Sequence, residues 1–168
     1  MTSIVETSTP ISAQQLGLIF QYTIEAYKTF QKLAESLPNP MSAKLFKQFA
    51  AEERENRDLI EIKYLSGAVS RIRVTLGGDL QFQDIVEGEL GWREGTEFMI
   101  ARERTIERKM VEFSKTAAGS DRNLLIYLAA GKRSHIMLLE RELELIRLYP
   151  DWYRREDAET LIVHGSAA

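Results

Sequence analysis

The break Pro38-Asn39-Pro40 constrains this chain more than any other feature, because it cuts one long amphipathic stretch into two helices that must fold back on each other. Upstream of it, apolar residues recur at helical spacing at Leu16, Ile19, Phe20, Tyr27, Phe30 and Ala34, with Thr23 on the same stripe. Ser12 and Gln15 form a capping box, so helix A is predicted over 12–37. Asn39 is placed to cap the next helix, with Pro40 at its first position. Helix B is predicted over 41–65, with Phe46, Phe49, Glu53, Asn56, Ile60 and Tyr64 on one face and Gly67 ending it. Helix C is expected from Thr96 to Ala118, with Met99, Glu103, Ile106, Met110, Phe113 and Ala117 inward and Gly119 as its cap. Helix D is expected from Asp121 to Tyr149, stopped by Pro150, and a short C-terminal helix is expected within DWYRREDAETL.

Residues 67–94 lack that periodicity. RIRVTL reads as a short strand without a partner, and FQDIVEGELGW as a helical turn or two. A connector this long is expected to cross the length of the molecule. Two antiparallel hairpins joined by one long crossover make an all-α, ferritin-like four-helix bundle. The organisation expected is a flexible N-terminus over 1–11, a bundle over 12–149 with its crossover at 67–94, and a C-terminal extension over 150–168.

Composition narrows the function classes. The net charge is only −3, and no basic tract or basic amphipathic stretch points to nucleic acid or a membrane surface. No apolar run is long enough to cross a bilayer, and the N-terminus has no signal-peptide pattern. There is no cysteine, which excludes disulfides, thiolate metal sites and a cysteine nucleophile and fits a reducing, cytoplasmic setting. With two histidines, one of them in the terminal tail, no catalytic triad is available. The Gly77-Gly78-Asp79 stretch is a turn rather than a phosphate loop.

The two halves repeat. Phe30, Lys32 and Ala34 fall over Phe113, Lys115 and Ala117, while FAAEERENRDLIE falls over LAAGKRSHIMLLE. The latter overlay sets Glu53 on Lys132 and Asn56 on His135. These paired patterns resemble the Glu-x-x-His helices of ferritin-like and rubrerythrin-like proteins, and YKTFQKLAE and RKMVEFSKTAA resemble their partner helices; the likeness covers residues 12–148. The resemblance implies a di-metal centre of four carboxylates and two histidines, holding iron or manganese.

This sequence departs from that ligand set. Asn56 stands where a histidine is expected, Lys132 where a glutamate is expected, and Thr23 or Ile24 where helix A would bring a carboxylate. No paired cysteines of a rubredoxin module follow. The ligands left are Glu53, His135 and one of Glu107 or Glu103, within a central polar cluster of Thr23, Glu53, Asn56, Glu103, Glu107, Lys132 and His135. A buried charge must be paired, so Lys132 is expected at the bundle axis, its ammonium set against Glu53 and either Glu103 or Glu107 in place of metal ions. Two plainer readings stand beside this one: a lysine reaching out to the surface along its apolar stem, and a structural, hydrogen-bonded histidine. Glu52 and Glu55 read as surface charges.

Two functions are therefore expected in competition. One is a binding or scaffold protein without a cofactor, formed by a ferritin-like bundle that has lost its di-iron centre. The other is an iron- or manganese-dependent oxidoreductase with a reduced site. A homodimer is expected, with the connector, Trp92 and Trp152 as candidate contacts.

Overall fold

The computed structural model describes residues 11–63, 76–82 and 91–165, and every regular element among them is helical. Helix α1 spans Ala13–Ser36, α2 Pro40–Lys63, α3 Trp92–Thr116, α4 Gly119–Leu148 and α5 Ala158–His164. Single 3₁₀ turns occupy Gly78–Leu80 and Trp152–Arg154. The expected strand at RIRVTL apart from Leu76, most of the FQDIVEGELGW stretch, and Tyr64 and Gly67 at the expected end of helix B lie outside the described residues, as do residues 1–10.

The helix boundaries follow local chemistry. The Ser12 hydroxyl accepts from the Gln15 amide while the Gln15 side chain accepts from the Ser12 amide, completing the capping box. Leu37, extended as a residue before proline must be, ends α1. The Asn39 Oδ1 accepts from the Met41 and Ser42 amides and caps α2. Helix α3 starts four residues before the expected Thr96. Gly95, just before the expected start, is buried in the first turn, and its amide donates to the Gly91 carbonyl. Helix α4 starts at Gly119, whose φ of 58° makes the reversal after α3. The C-terminal helix is shorter than DWYRREDAETL suggested: a 3₁₀ turn comes first, and α5 begins at Ala158.

Helix α1 packs chiefly along α2, and α3 along α4, with lighter contacts between α1 and α3 and between α2 and α4. Phe30, Phe46 and Phe49 form an aromatic knot between α1 and α2, with ring centroids 5.2–6.1 Å apart. Each such side chain contributes about 1.5–3 kcal/mol by burial. The 3₁₀ turn of Trp152–Arg154 is tied to the α1–α2 junction: the Asn39 side chain donates to the Trp152 carbonyl, and its amide to the Tyr153 carbonyl. Trp152 is only 2% exposed, so it belongs to the core and is not available as a dimer contact. None of the described helices is long and apolar enough to cross a membrane.

The burial patterns of the two halves correspond, although for α1 and α3 not in the register that sets Phe30 over Phe113. Between α2 and α4, Phe46, Phe49, Ala50, Glu53 and Ile60 correspond in burial to Leu125, Leu128, Ala129, Lys132 and Leu139. Between α1 and α3 the buried positions instead match Thr23 with Glu103, Ala26 with Ile106 and Phe30 with Met110. Burial, not residue identity, sets this alignment, and it puts Thr23 opposite a carboxylate.

Candidate functional site

Glu53 from α2, Glu103 from α3, and Lys132 and His135 from α4 meet in the interior, each 1% exposed or less. The spacing of Lys132 and His135 puts both on one face of α4, between Leu128 and Leu139. The Lys132 ammonium donates to Glu53 Oε1 and lies 3.5 Å from Glu103 Oε2. It also sits 5.2 Å from the centre of the Tyr22 ring. Lys132 therefore points inward and does not reach for the surface.

His135 is held on both nitrogens by carboxylates. Nδ1 is 2.8 Å from Glu103 Oε1 and 3.5 Å from Glu53 Oε1, and Nε2 meets Glu52 Oε2. A ring that faces a carboxylate at each nitrogen carries a proton on each. Burial disfavours the charged ring, but its bonds to Glu103, Glu52 and Glu53 outweigh that and push its pKa up to about 10. The ring packs 4.6 Å from Phe49 and edge-on to Phe30.

The carboxylates are not equivalent. Burial works against the Glu103 anion, but Lys132, His135 and the Tyr22 hydroxyl overcome it and hold its carboxyl down at about 2. Tyr22 donates to Glu103 Oε2 at 2.5 Å, and burial together with the Glu103 and Glu53 charges pushes its own pKa well above the usual phenol value. For Glu53, burial wins over Lys132 and raises the carboxyl, and its Oε2 has no hydrogen-bond partner among the described residues. Burial likewise opposes the Lys132 cation, yet Glu103 and Glu53 raise its pKa. The interior thus sets the ammonium of Lys132 and the ring of His135 against the carboxyl groups of Glu53 and Glu103, with Glu52 at the rim, its side chain 41% exposed.

Several predicted site residues lie elsewhere. Glu107, offered first as a metal ligand, is one turn beyond Glu103 and pairs at 2.8 Å with the exposed Arg133. The buried stripe of α3 runs through Glu103, Ile106 and Met110 and leaves Glu107 at its edge, so Glu103 takes the inner place. Asn56 is half-buried and outside the described hydrogen bonds of the cluster. Thr23 is buried, but its hydroxyl donates to the Phe20 carbonyl of its own helix. Sequence reading missed Tyr22 and Glu52. Tyr22 lies between Ile19 and Ala26 at helical spacing, and a buried tyrosine hydroxyl calls for a partner. Glu52, read as a surface charge, reaches back from the rim to His135.

Ligand atoms of Glu53, Glu103 and His135 lie within 4.8 Å of one another, close enough to consider a cation. The donor chemistry does not suit the iron or manganese pair that the resemblance implies. A metal-bound imidazole must offer a lone pair, whereas both His135 nitrogens face carboxylates as donors. One oxygen of each carboxylate, Glu53 Oε1 and Glu103 Oε2, already faces the Lys132 ammonium, which would repel a dication. A comparison with protein-family models, with curated proteins and with solved structures returns no match to this chain.

Proposed function

We propose that this chain is a ferritin-like four-helix bundle, two antiparallel hairpins joined by a crossover, whose centre is balanced by Lys132 rather than by a di-metal site, and that it works as a binding or scaffold protein. One observation carries this reading: the Lys132 ammonium sits against Glu53 and Glu103, the oxygens a metal would have to share. His135, held at both nitrogens, completes a set of four buried charges that sums to zero without an ion. With both His135 nitrogens and one oxygen of each inner carboxyl group committed within the cluster, this reading puts function at the surface. As a homodimer the chain has exposed apolar residues such as Tyr127 and Met137 of α4 to offer, rather than Trp152; light scattering on a sizing column tests this.

The deciding experiment is metal loading. Purified protein is incubated anaerobically with Fe(II) or Mn(II), desalted and analysed for bound metal. The expected content is far below one ion per chain, and two ions per chain would overturn the proposal. The convergence of Glu53, Glu103 and His135 within 4.8 Å favours a second reading, an iron- or manganese-dependent oxidoreductase using one ion. It requires His135 to lose a proton and Lys132 to move aside. An oxygen-dependent absorbance change in iron-loaded protein, abolished by His135→Ala, would support it.

A further inference from the structure

Far from the charge cluster in chemistry, a cleft of about 530 Å³ opens where the N-terminus of α3 meets the C-terminus of α4 and the turn after it. That volume lies within the ordinary range for small-molecule sites. Its walls combine two kinds of surface. Trp92, Leu143, Ile146 and Tyr153 supply apolar and aromatic area. Tyr153 is firmly fixed: it is buried, its hydroxyl lies 2.7 Å from Thr96 Oγ1, and its ring packs on Phe46. Trp92 is fixed by its indole N–H, which donates to Ser36 of α1.

The charged groups around the cleft are Arg93, Arg147 and Arg154 against Glu94 and Glu97. Arg93 bonds Glu97 one turn on, and both side chains are about half exposed or more. Arg147 bonds Glu144, outside the cleft, in another exposed pair. Exposed pairs are worth up to about 1 kcal/mol, the forked Arg147–Glu144 pair at the upper end, so an incoming carboxylate can compete for the guanidinium groups. Arg154 has no ion-pair partner among the described residues. The Glu94 carboxylate lies back over Gly91 at the start of its own helix. The balance of charge is positive, and its positive members are planar forks matched to carboxylates.

We propose that this cleft binds a small organic acid with an apolar body, the body lying against Trp92, Leu143 and Ile146 and the carboxylate taken by Arg154 with Arg147. Shape and apolar lining set the body, and the guanidinium pair sets the sign of the charge. The site belongs to a binding protein and needs no reaction at the cluster.

The probe is 4-phenylbutyrate, titrated into the 168-residue chain while tryptophan fluorescence is followed. Trp152 is buried in the core, so the signal comes from Trp92, and Trp92→Phe serves as the control that removes it. The expected result is saturable binding with a Kd on the order of 100 μM. Loss of one charge-assisted contact in Arg154→Gln should weaken it about tenfold, and Arg147→Gln should also weaken it. Both positions are exposed, so circular dichroism of the variants should match the parent. The matching amine, 4-phenylbutylamine, should bind at least about tenfold more weakly. Equal binding of acid and amine, unchanged affinity in both arginine variants, or no saturation at millimolar probe would each overturn the proposal.

Discussion

Replacing Lys132 with methionine tests the charge balance directly, because methionine keeps much of the stem and removes only the ammonium. The attraction being removed is large in gross terms: at 3.5 Å and an effective dielectric of about 20, the Lys132–Glu103 pair alone is worth on the order of 5 kcal/mol. Desolvation of the ions offsets most of that, so the net worth of the pair is small. Removing one partner is a different matter. Lys132→Met leaves Glu53 and Glu103 facing a single cation, His135, in an interior where none of the three is more than 1% exposed. Stranding a buried charge in this way costs about 3–5 kcal/mol, a large part of the stability of an ordinary domain. For a chain of this size the melting temperature should fall by roughly 6–20 °C. Charge counting gives a sharper expectation. The double variant Glu53→Gln/Lys132→Met leaves only Glu103 against His135, so it should be more stable than Lys132→Met alone. The assay is urea unfolding at pH 7, followed by circular dichroism, for both singles and the double. The reasoning fails if Lys132→Met lies within about 0.5 kcal/mol of the parent, or if the double variant is the less stable of the two.

Further expectations follow from neighbouring groups. His135, raised to about 10 from an ordinary value near 6.5, contributes stability that is complete below about 6.5 and lost as pH rises toward 10. Glu103, lowered to about 2, contributes stability present above its unfolded pKa, near 4.5, and lost as pH falls toward 2. Urea midpoints measured across pH should therefore fall on both sides of a plateau near pH 5–6, and His135→Gln should flatten the alkaline side. Tyr22→Phe removes a donor from the buried Glu103 carboxylate and should cost about 1.5–3 kcal/mol in thermal unfolding, whereas Glu107→Gln, at an exposed pair, should stay within about 0.5 kcal/mol. Glu142 is buried, accepts from Ser42 and the Trp152 indole, and has its carboxyl raised by burial. Glu142→Gln keeps an acceptor without the charge and should be neutral or stabilising at pH 8, while Glu142→Leu should cost about 1–3 kcal/mol by stranding both donors.

The all-helical class was legible because its signals are local. Ser12 with Gln15, Asn39 with Pro40, and apolar residues at helical spacing fix helices without reference to the rest of the chain. Lys132 and His135 were legible as an anomaly, two polar residues on an apolar stripe. What escaped the sequence depended on rotation and reach. Glu103 and Glu107 are one turn apart in a charge-rich run, and only packing against α4 decides which faces in. Glu52 is beside Glu53 in sequence and points away from it along the helix, yet a long side chain brings its carboxylate to His135. Gly95 carries the opposite local signal from its final state, since burial of the first turn of α3 overrides glycine's low helix propensity.

The matching burial of α2 and α4 gives a reason for a cluster made of opposites. When two similar helix pairs face each other, equivalent positions on α2 and α4 come together, and a strictly repeated sequence would set like against like. Two glutamates in that place would repel unless cations were brought in from outside; two lysines would do the same with the opposite sign. Glu53 and Lys132 are equivalent in the repeat and touch in the fold. The matched pair on α1 and α3 diverges similarly, with Thr23 closing its hydroxyl onto its own helix while Glu103 supplies the second carboxylate. Each departure from symmetry removes one like-charge contact or adds one opposite contact, and the residues that do so are the ones that reduce the need for an ion. Symmetry broken in this sense stabilises the interior from within the chain, and it predicts the reverse experiment: Lys132→Glu restores like against like, and should either unfold the protein or make its stability depend on an added divalent cation, observed as a rise in melting temperature on titrating Mn(II).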